Sequence, residues 1–282
     1  MMDKWQCALL LVLLLLLTAC SRESAGELFD DSATQTVGGI IAQAQGKEIQ
    51  VLLEKKLSIE QDVHYAPLHL QGGGTDGTYG YYLLVEMLDS GDGRTKLVKV
   101  DLESWEIVME VHDLMLGHAN DLTYDPQHCR LLVTPCGPQM FFLDVDSLMV
   151  TDVRTLQTQQ YSIDYHAGRN QYVIGLSNSY DGAVLDEEFQ LLHSYTGVFN
   201  RGVRQGMACD DDYIYYLRYG TANNYIVVYD WEGTYITCLT LPMVGEAENL
   251  FIRGDKIILG VHHLLEDKAD IYELTLMIDD SP

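Results

Sequence analysis

Four side-chain amides and one acid, Gln71, Asn120, Gln160, Gln205 and Glu248, stand at equivalent places in five stretches of similar sequence. Beside them lie His118, Asp121, Arg204 and Glu246. A carboxamide offers both a donor and an acceptor. A ring of them suits a sugar hydroxyl, another small polar ligand or ordered water. The alternative is that these side chains fill and cross-link the interior, since buried polar groups must be satisfied. The expected ligand-binding set is Gln71, His118, Asn120, Gln160, Arg204, Gln205 and Glu248. If the ring carries a reaction, the candidates are Asp121, Glu248 and His118. Glycoside cleavage needs two carboxyl groups about 5–10 Å apart, and Asp121 and Glu248 are the axial carboxylates placed for it.

Other candidates point to structure more than to chemistry. Asp89-Ser90-Gly91-Asp92-Gly93 has the look of a calcium loop but lacks the downstream ligands of an EF-hand, so it reads as a turn. Asp210, Asp211 and Asp212 read as a solvated turn. His262 and His263 alternate across a strand and cannot share a metal. No G-x-S-x-G elbow is present, and Gly72-Gly73-Gly74 opens into a strand, so it is no phosphate loop. No metal site or cofactor is expected, and calcium on the acidic surface is the open alternative.

The elements that position the ring recur. Strand-like runs start at Tyr81, Arg130, Gln171, Tyr213 and Lys256, spaced 49, 41, 42 and 43 residues apart. Further apolar strands each end in an acid at a tight turn, Asp101, Asp144, Asp186, Asp230 and Glu273, spaced 43, 42, 44 and 43 apart. A period in the forties with strand content means propeller blades. After the first four acids comes another strand, at Trp105–Val111, Leu148–Val153, Phe189–Tyr195 and Thr234–Leu241. After Glu273 only nine residues remain. The missing outer strand is expected from Glu48–Leu57, which closes the ring and leaves no open edge between first and last blades. The expected fold is all-β: a five-bladed β-propeller of four-stranded blades over residues 47–282, closed by Glu48–Leu57. Equivalent positions of its innermost strands would face a common axial channel.

With 42 acidic and 17 basic residues the net charge is −25, a field that repels nucleic acid and anionic membrane surfaces. Four cysteines lie beyond residue 20: Cys129, Cys136, Cys209 and Cys238. Cys129 and Cys136 bracket one strand and are too far apart to bond, and Cys209 and Cys238 fall on strands that are not neighbours, so free buried thiols are expected. The eighteen tyrosines suit blade packing with wet hydroxyl ends, with a carbohydrate-stacking surface as the alternative. A monomer is expected.

At the N-terminus Lys4 precedes the apolar run Cys7–Cys20, fourteen residues, too short for a spanning helix, which needs about 20. Its end, Leu17-Thr18-Ala19-Cys20, resembles the bacterial lipobox. That resemblance implies a signal peptide over residues 1–19, diacylglyceryl transfer to Cys20, and cleavage before it. It places the protein on the outer face of the cytoplasmic membrane, held by its lipids. Residues 20–46 are small and polar and read as a lipidated tether, with a short helix near Gly38–Gln45.

The blocks QGGGTDG, GHANDLTYDP, QGMACDDDYIYYL, NNYIVVYDWEG and EAENLF resemble a group of secreted β-propeller proteins of Gram-positive, Firmicutes-type bacteria, over roughly Leu68 to Ile278. This resemblance implies export and a propeller, and no activity. Arabinan- and fructan-cleaving glycosidases also use five blades, an analogy of fold alone. Two functional expectations follow. One is a lipid-anchored recognition module for a glycan or a cell-surface protein, without turnover. The other is a glycoside hydrolase or lyase using Asp121 and Glu248.

Overall fold

In a computed structural model of the chain, the residues described are 35–60, 65, 67–88, 91–176, 181–197, 202–220, 222–266 and 268–279. Cys20, the signal and most of the tether lie outside them, as do Asp89 and Ser90. A short helix α1 (Val37–Ala44) comes first. Thr36 caps it by accepting from the Gly39 amide at 3.0 Å, and Gln45 ends it in the left-handed region. No helix among the described residues is long and apolar enough to cross a membrane.

All other regular structure is antiparallel β. Strand β1 (Ile49–Ile59) is followed by β2 (Leu68–Thr75), β3 (Tyr79–Leu88), β4 (Gly91–Asp101) and β5 (Ile107–Leu114), which pair in chain order. Next come β6 (Asp121–Asp125), β7 (Arg130–Thr134), β8 (Gly137–Asp144), β9 (Val150–His166), β10 (Gln171–Leu176), β11 (Gly182–Leu185) and β12 (Leu191–Tyr195), joined as one seven-stranded sheet. A third sheet holds β13 (Val203–Cys209), β14 (Tyr213–Tyr219), β15 (Asn224–Asp230) and β16 (Tyr235–Leu241). The last holds β17 (Glu246–Arg253), β18 (Lys256–His263), β19 (Lys268–Ile278) and β1, in that order. β1 pairs with β19 from Ile49 opposite Ile278 to Ile59 opposite Ala269.

The seven-stranded sheet departs from the expectation of separate four-stranded units. The first part of β9 pairs with β8 (Thr155 opposite Gln139) and its second part with β10 (Ile163 opposite Ile174). Residues 154–159, RTLQTQ, contain no Gly or Pro to break the strand, so one seventeen-residue strand crosses where a turn was expected.

The first strands of the repeats adjoin one another in a ring: β2 beside β6, β6 beside β9, β9 beside β13, β13 beside β17, and β17 beside β2. With the radiating antiparallel sheets this makes the fold propeller-like. The ring is tight because glycine stands where backbones meet. A Cβ on Gly72 would lie 2.8 Å from Asp121 Cα, and one on Gly206 2.8 Å from Asn249 Cα. Apolar clusters fill the spaces between neighbouring sheets, and one more packs the two halves of the seven-stranded sheet against each other.

The repeated acids have local work. Asp101, Asp144, Asp186 and Asp230 each accept backbone amides of the following turn, such as Ser104 N at 2.9 Å and Thr234 N at 2.7 Å, as Asx turns do. At the same end of the sheets, in the turns between first and second strands, Asp76 accepts from Tyr81 Oη at 2.8 Å and Asp210 from Tyr215 Oη at 2.6 Å. Asp210 also takes the Gly38 amide of α1 at 3.0 Å. The helix is therefore docked, with Val37, Ile40 and Ile41 buried in the cluster that contains Tyr215 and Leu250. The compact unit begins at Gln35, earlier than residue 47, because this apolar helix face has a core to join. Asp210→Ala is expected to strand the buried Tyr215 hydroxyl and undock α1. The cost is about 3 kcal/mol, read as a fall of roughly 10 °C in Tm. Tyr215→Phe, which removes one bond only, should lose less than half of that in the same thermal scan.

Of these four cysteines, expected as buried thiols, Cys209 is buried, whereas Cys129, Cys136 and Cys238 are partly exposed. Cys129 and Cys136 sit at left-handed turn residues (φ 50° and 59°) flanking β7, which keeps them at the ends of the strand and out of the core.

Candidate binding site at the mouth of the strand ring

Three of the four ring amides, and Glu248, stand at local irregularities of the ladders. The β2–β3 register skips between Leu70 and Gly73, β13–β14 between Arg204 and Met207, β17–β18 between Ala247 and Asn249, and β9–β10 between Gln160 and Ser162. A bulge leaves a residue outside the ladder and re-aims its side chain. Gln71, Gln205 and Glu248 occupy such bulges, and Gln160 flanks one. Gln71, Asn120, Gln160, Gln205 and Glu248 are all buried, at 5% exposure or less.

The structure does not bring them into one set. Gln205 Nε2 donates to Glu246 Oε1 at 3.0 Å. His118 stands near enough to Glu246 to favour its charged form. Glu248 feels the charge of Glu246 beside it. These four make one group beside the starts of β6, β13 and β17, the end of the strand ring called its mouth here, with Glu246 and His118 half-buried. Burial pushes the Glu248 carboxyl well up, and the neighbouring Glu246 adds to it. Burial also raises Glu246, against the Gln205 hydrogen bond and His118. Among the described residues no Lys or Arg pairs with either acid. A carboxyl group held protonated is both donor and acceptor, like an amide.

The other expected residues do not belong to this group. Asp121 is fully buried below the mouth, where Oδ2 accepts from Ile163 N at 3.0 Å and Met207 N at 3.1 Å, and Oδ1 from Leu122 N at 3.0 Å. It therefore ties β6 to β9 and β13. Its charged neighbour is Asp164, and that of Glu248 is Glu246, so Asp121 and Glu248 do not form a pair. Asn120 Nδ2 donates to Tyr161 O at 2.7 Å. Arg204 turns aside to Leu176 O at 2.6 Å and Asp181 Oδ1 at 3.2 Å. The Gln160 amide is wholly buried with neither end bonded. Gln71 contributes its carbonyl, which accepts from Asn249 Nδ2 at 2.6 Å.

Sequence reasoning did not find Asn249, Asp164 or the Asp181–Arg218 ion pair at 2.9 Å. Asp164 accepts Thr123 Oγ1 at 2.7 Å and Cys209 N at 2.8 Å, a second tie from β9 to β6 and β13. No residue pattern distinguishes these from surface polar positions. His262 is buried and stacks on His69 with ring centroids 4.2 Å apart, and burial lowers its pKa to about 4. Among the described residues no three His, Cys, Asp or Glu side chains converge as a metal site.

No family model and no curated protein matches the chain. Among solved structures it is similar to a glutaminyl cyclase of Myxococcus xanthus, with a TM-score of 0.57 and 12% identity, over 83% of this chain and 100% of that one. It is similar to the tail fibre of Staphylococcus aureus phage P68 at a TM-score of 0.56 and 10% identity, over 82% of this chain and 53% of that one. The β-propeller domain of Cps50 (Swd1) from Myceliophteria thermophila aligns at 0.45 with 11% identity, too loosely to carry weight. Likeness at this identity speaks to the fold alone.

Proposed function

We propose that the domain is a five-bladed β-propeller, sealed by β1, that binds a neutral polar ligand such as a glycan at the mouth formed by His118, Gln205, Glu246 and Glu248, without turnover. The blade count follows from the five adjoining first strands, with β9 serving two blades. The observation that carries the functional reading is Glu248: a buried carboxyl with no cation beside it, next to a second acid bonded to an amide. Burial and Glu246 favour the neutral form of this carboxyl, which with Gln205 presents both donors and acceptors. An anion would meet Glu246. Calcium would need ionised acids and six to eight oxygens, whereas two carboxyl groups meet here.

The hydrolase reading asks Asp121 for a free carboxylate, but both of its oxygens are bonded to backbone amides. The glutaminyl cyclase similarity supplies a second enzymatic thought, on fold alone. The ending LTAC at Cys20 supports export and attachment to the outer face of the membrane, with a wall glycan or a surface protein within reach.

A glycan array probed with and without calcium tests the reading. The protein should retain at least one uncharged glycan in both conditions, and Gln205→Leu should weaken that binding by at least tenfold. Retention of charged sugars only, or only in calcium, would sink it.

A further inference from the structure

Between the seven-stranded sheet and the β13–β16 sheet lies a buried cation that the mouth does not use. Arg218, on β14, is 3% exposed. Its Nη2 stands 2.9 Å from Asp181 Oδ2, but its N–H bonds do not point along that line, and Nε has no acceptor. Asp181 is the one carboxylate that Arg218 meets among the described residues, and it is shared. It also accepts from Arg204 Nη2 at 3.2 Å and from Tyr229 Oη at 3.0 Å. The charge of Arg218 is therefore only partly balanced, in a place where an unbalanced charge is costly.

Two hydroxyls join it. The Arg218 guanidinium carbon lies 4.9 Å from the centre of the Tyr216 ring, and the Tyr216 hydroxyl feels the charges of both Arg218 and Arg204. Tyr216 and Ser162 are wholly buried. Their hydroxyls converge above Gly175, where a Cβ would collide with both. Ser162 stands near enough to favour the ionised form of Tyr216, yet neither hydroxyl has a hydrogen-bond partner of good geometry. Buried polar groups in native proteins are nearly always bonded, and a cluster of exceptions needs an occupant.

We propose that Arg218, Tyr216 and Ser162 form a buried site for a small monocarboxylate of the size of formate or acetate. The unpartnered groups are N–H and O–H donors, so what they lack is an acceptor. Nε and Nη2 make one edge of the planar guanidinium, and that edge matches the two oxygens of a carboxylate. The two hydroxyls would donate to the same oxygens. A single negative charge completes the balance of Arg218, and a dianion would overshoot it. Arg204, bonded to the other oxygen of Asp181, offsets the repulsion between the two carboxylates. The charge of −25 on the whole chain repels anions through solvent, so the affinity must come from these local donors, which water does not screen. The Arg204 side chain, 24% exposed, is the part of the cluster that solvent reaches. This site is independent of the ligand at the mouth.

Equilibrium dialysis of the full-length chain against radiolabelled formate should show one saturable equivalent per chain. At constant pH and ionic strength, formate should raise Tm above that in chloride by about 5–10 °C at a hundredfold excess over Kd. Arg218→Gln should abolish the binding. Tyr216→Phe removes one donor and should weaken formate at least tenfold, while its Tm without formate stays equal or rises, because the deleted hydroxyl had no partner. Absence of a saturable equivalent, or formate binding that Tyr216→Phe leaves unchanged, would overturn the proposal. Displacement of formate by an equal concentration of chloride would mean an adventitious ion only and would overturn it equally.

Discussion

Asp121→Ala is expected to destabilise the domain by about 5 kcal/mol, seen as a fall of some 10–20 °C in Tm. Three backbone amides, Leu122, Ile163 and Met207, donate to this one side chain. Each would be left buried without an acceptor, at about 1–3 kcal/mol apiece. Global stabilities are about 5–15 kcal/mol, so the loss removes a large part of what holds the ring together. Asp121→Asn separates the structural role from a chemical one. With its carbonyl in the place of Oδ2, asparagine keeps the bonds to Ile163 and Met207 and loses only the one to Leu122, so it should cost less than half as much. It should also leave ligand binding at the mouth unchanged. Chemical denaturation of the three proteins checks the order. Equal loss for both variants would mean that the negative charge, and not the hydrogen-bond geometry, is what matters.

Glu248→Gln is expected to do the opposite and stabilise the protein at neutral and alkaline pH. The folded state holds the Glu248 proton to a higher pH than the unfolded chain does, because burial and Glu246 raise its pKa. Its contribution to stability is then complete below the unfolded value of about 4.3 and is lost as pH rises through the folded value. A glutamine carries a donor and an acceptor at all pH values and escapes that loss. The gain should be read as a higher Tm of the variant at pH 8, should grow as pH rises and should vanish near pH 4. Glu246, Asp121 and Asp164 are raised by burial too, so the wild-type curve alone blends several groups. The difference between wild type and variant isolates Glu248. A variant that is less stable at pH 8 would show that Glu248 is ionised and held by a partner.

Much of the scaffold was legible because its signals are local. Asp101, Asp144, Asp186 and Asp230 recur since each closes the same kind of turn, and Glu48–Leu57 read as a strand that joins the last sheet, where β1 pairs with β19. The continuity of β9 was not legible from the period, because a repeat marks where turns should fall and not where one is skipped; only the absence of Gly and Pro in residues 154–159 hinted at it. The mouth was half legible. Aligning the repeats found Gln205 and Glu248, and the Gln-Gly pairs at 71–72 and 205–206 were a sign of bulges. What alignment could not give was the direction of each side chain. Arg204 and Gln205 are neighbours in sequence and serve different sites, and Asp121 lies below the mouth although Asn120 lies on the ring. Long-range partners such as Asp164 with Cys209, or Asn249 with Gln71, leave no trace in composition or spacing.

The measurement that tests the central claim most directly is turnover of a panel of chromogenic glycosides by wild type and Glu248→Gln, run beside binding of the same glycans. A neutral acid used only to bind predicts no release of chromophore by either protein and affinities within about threefold of each other. Turnover by wild type that Glu248→Gln abolishes would contradict the account and make this carboxyl a catalytic acid.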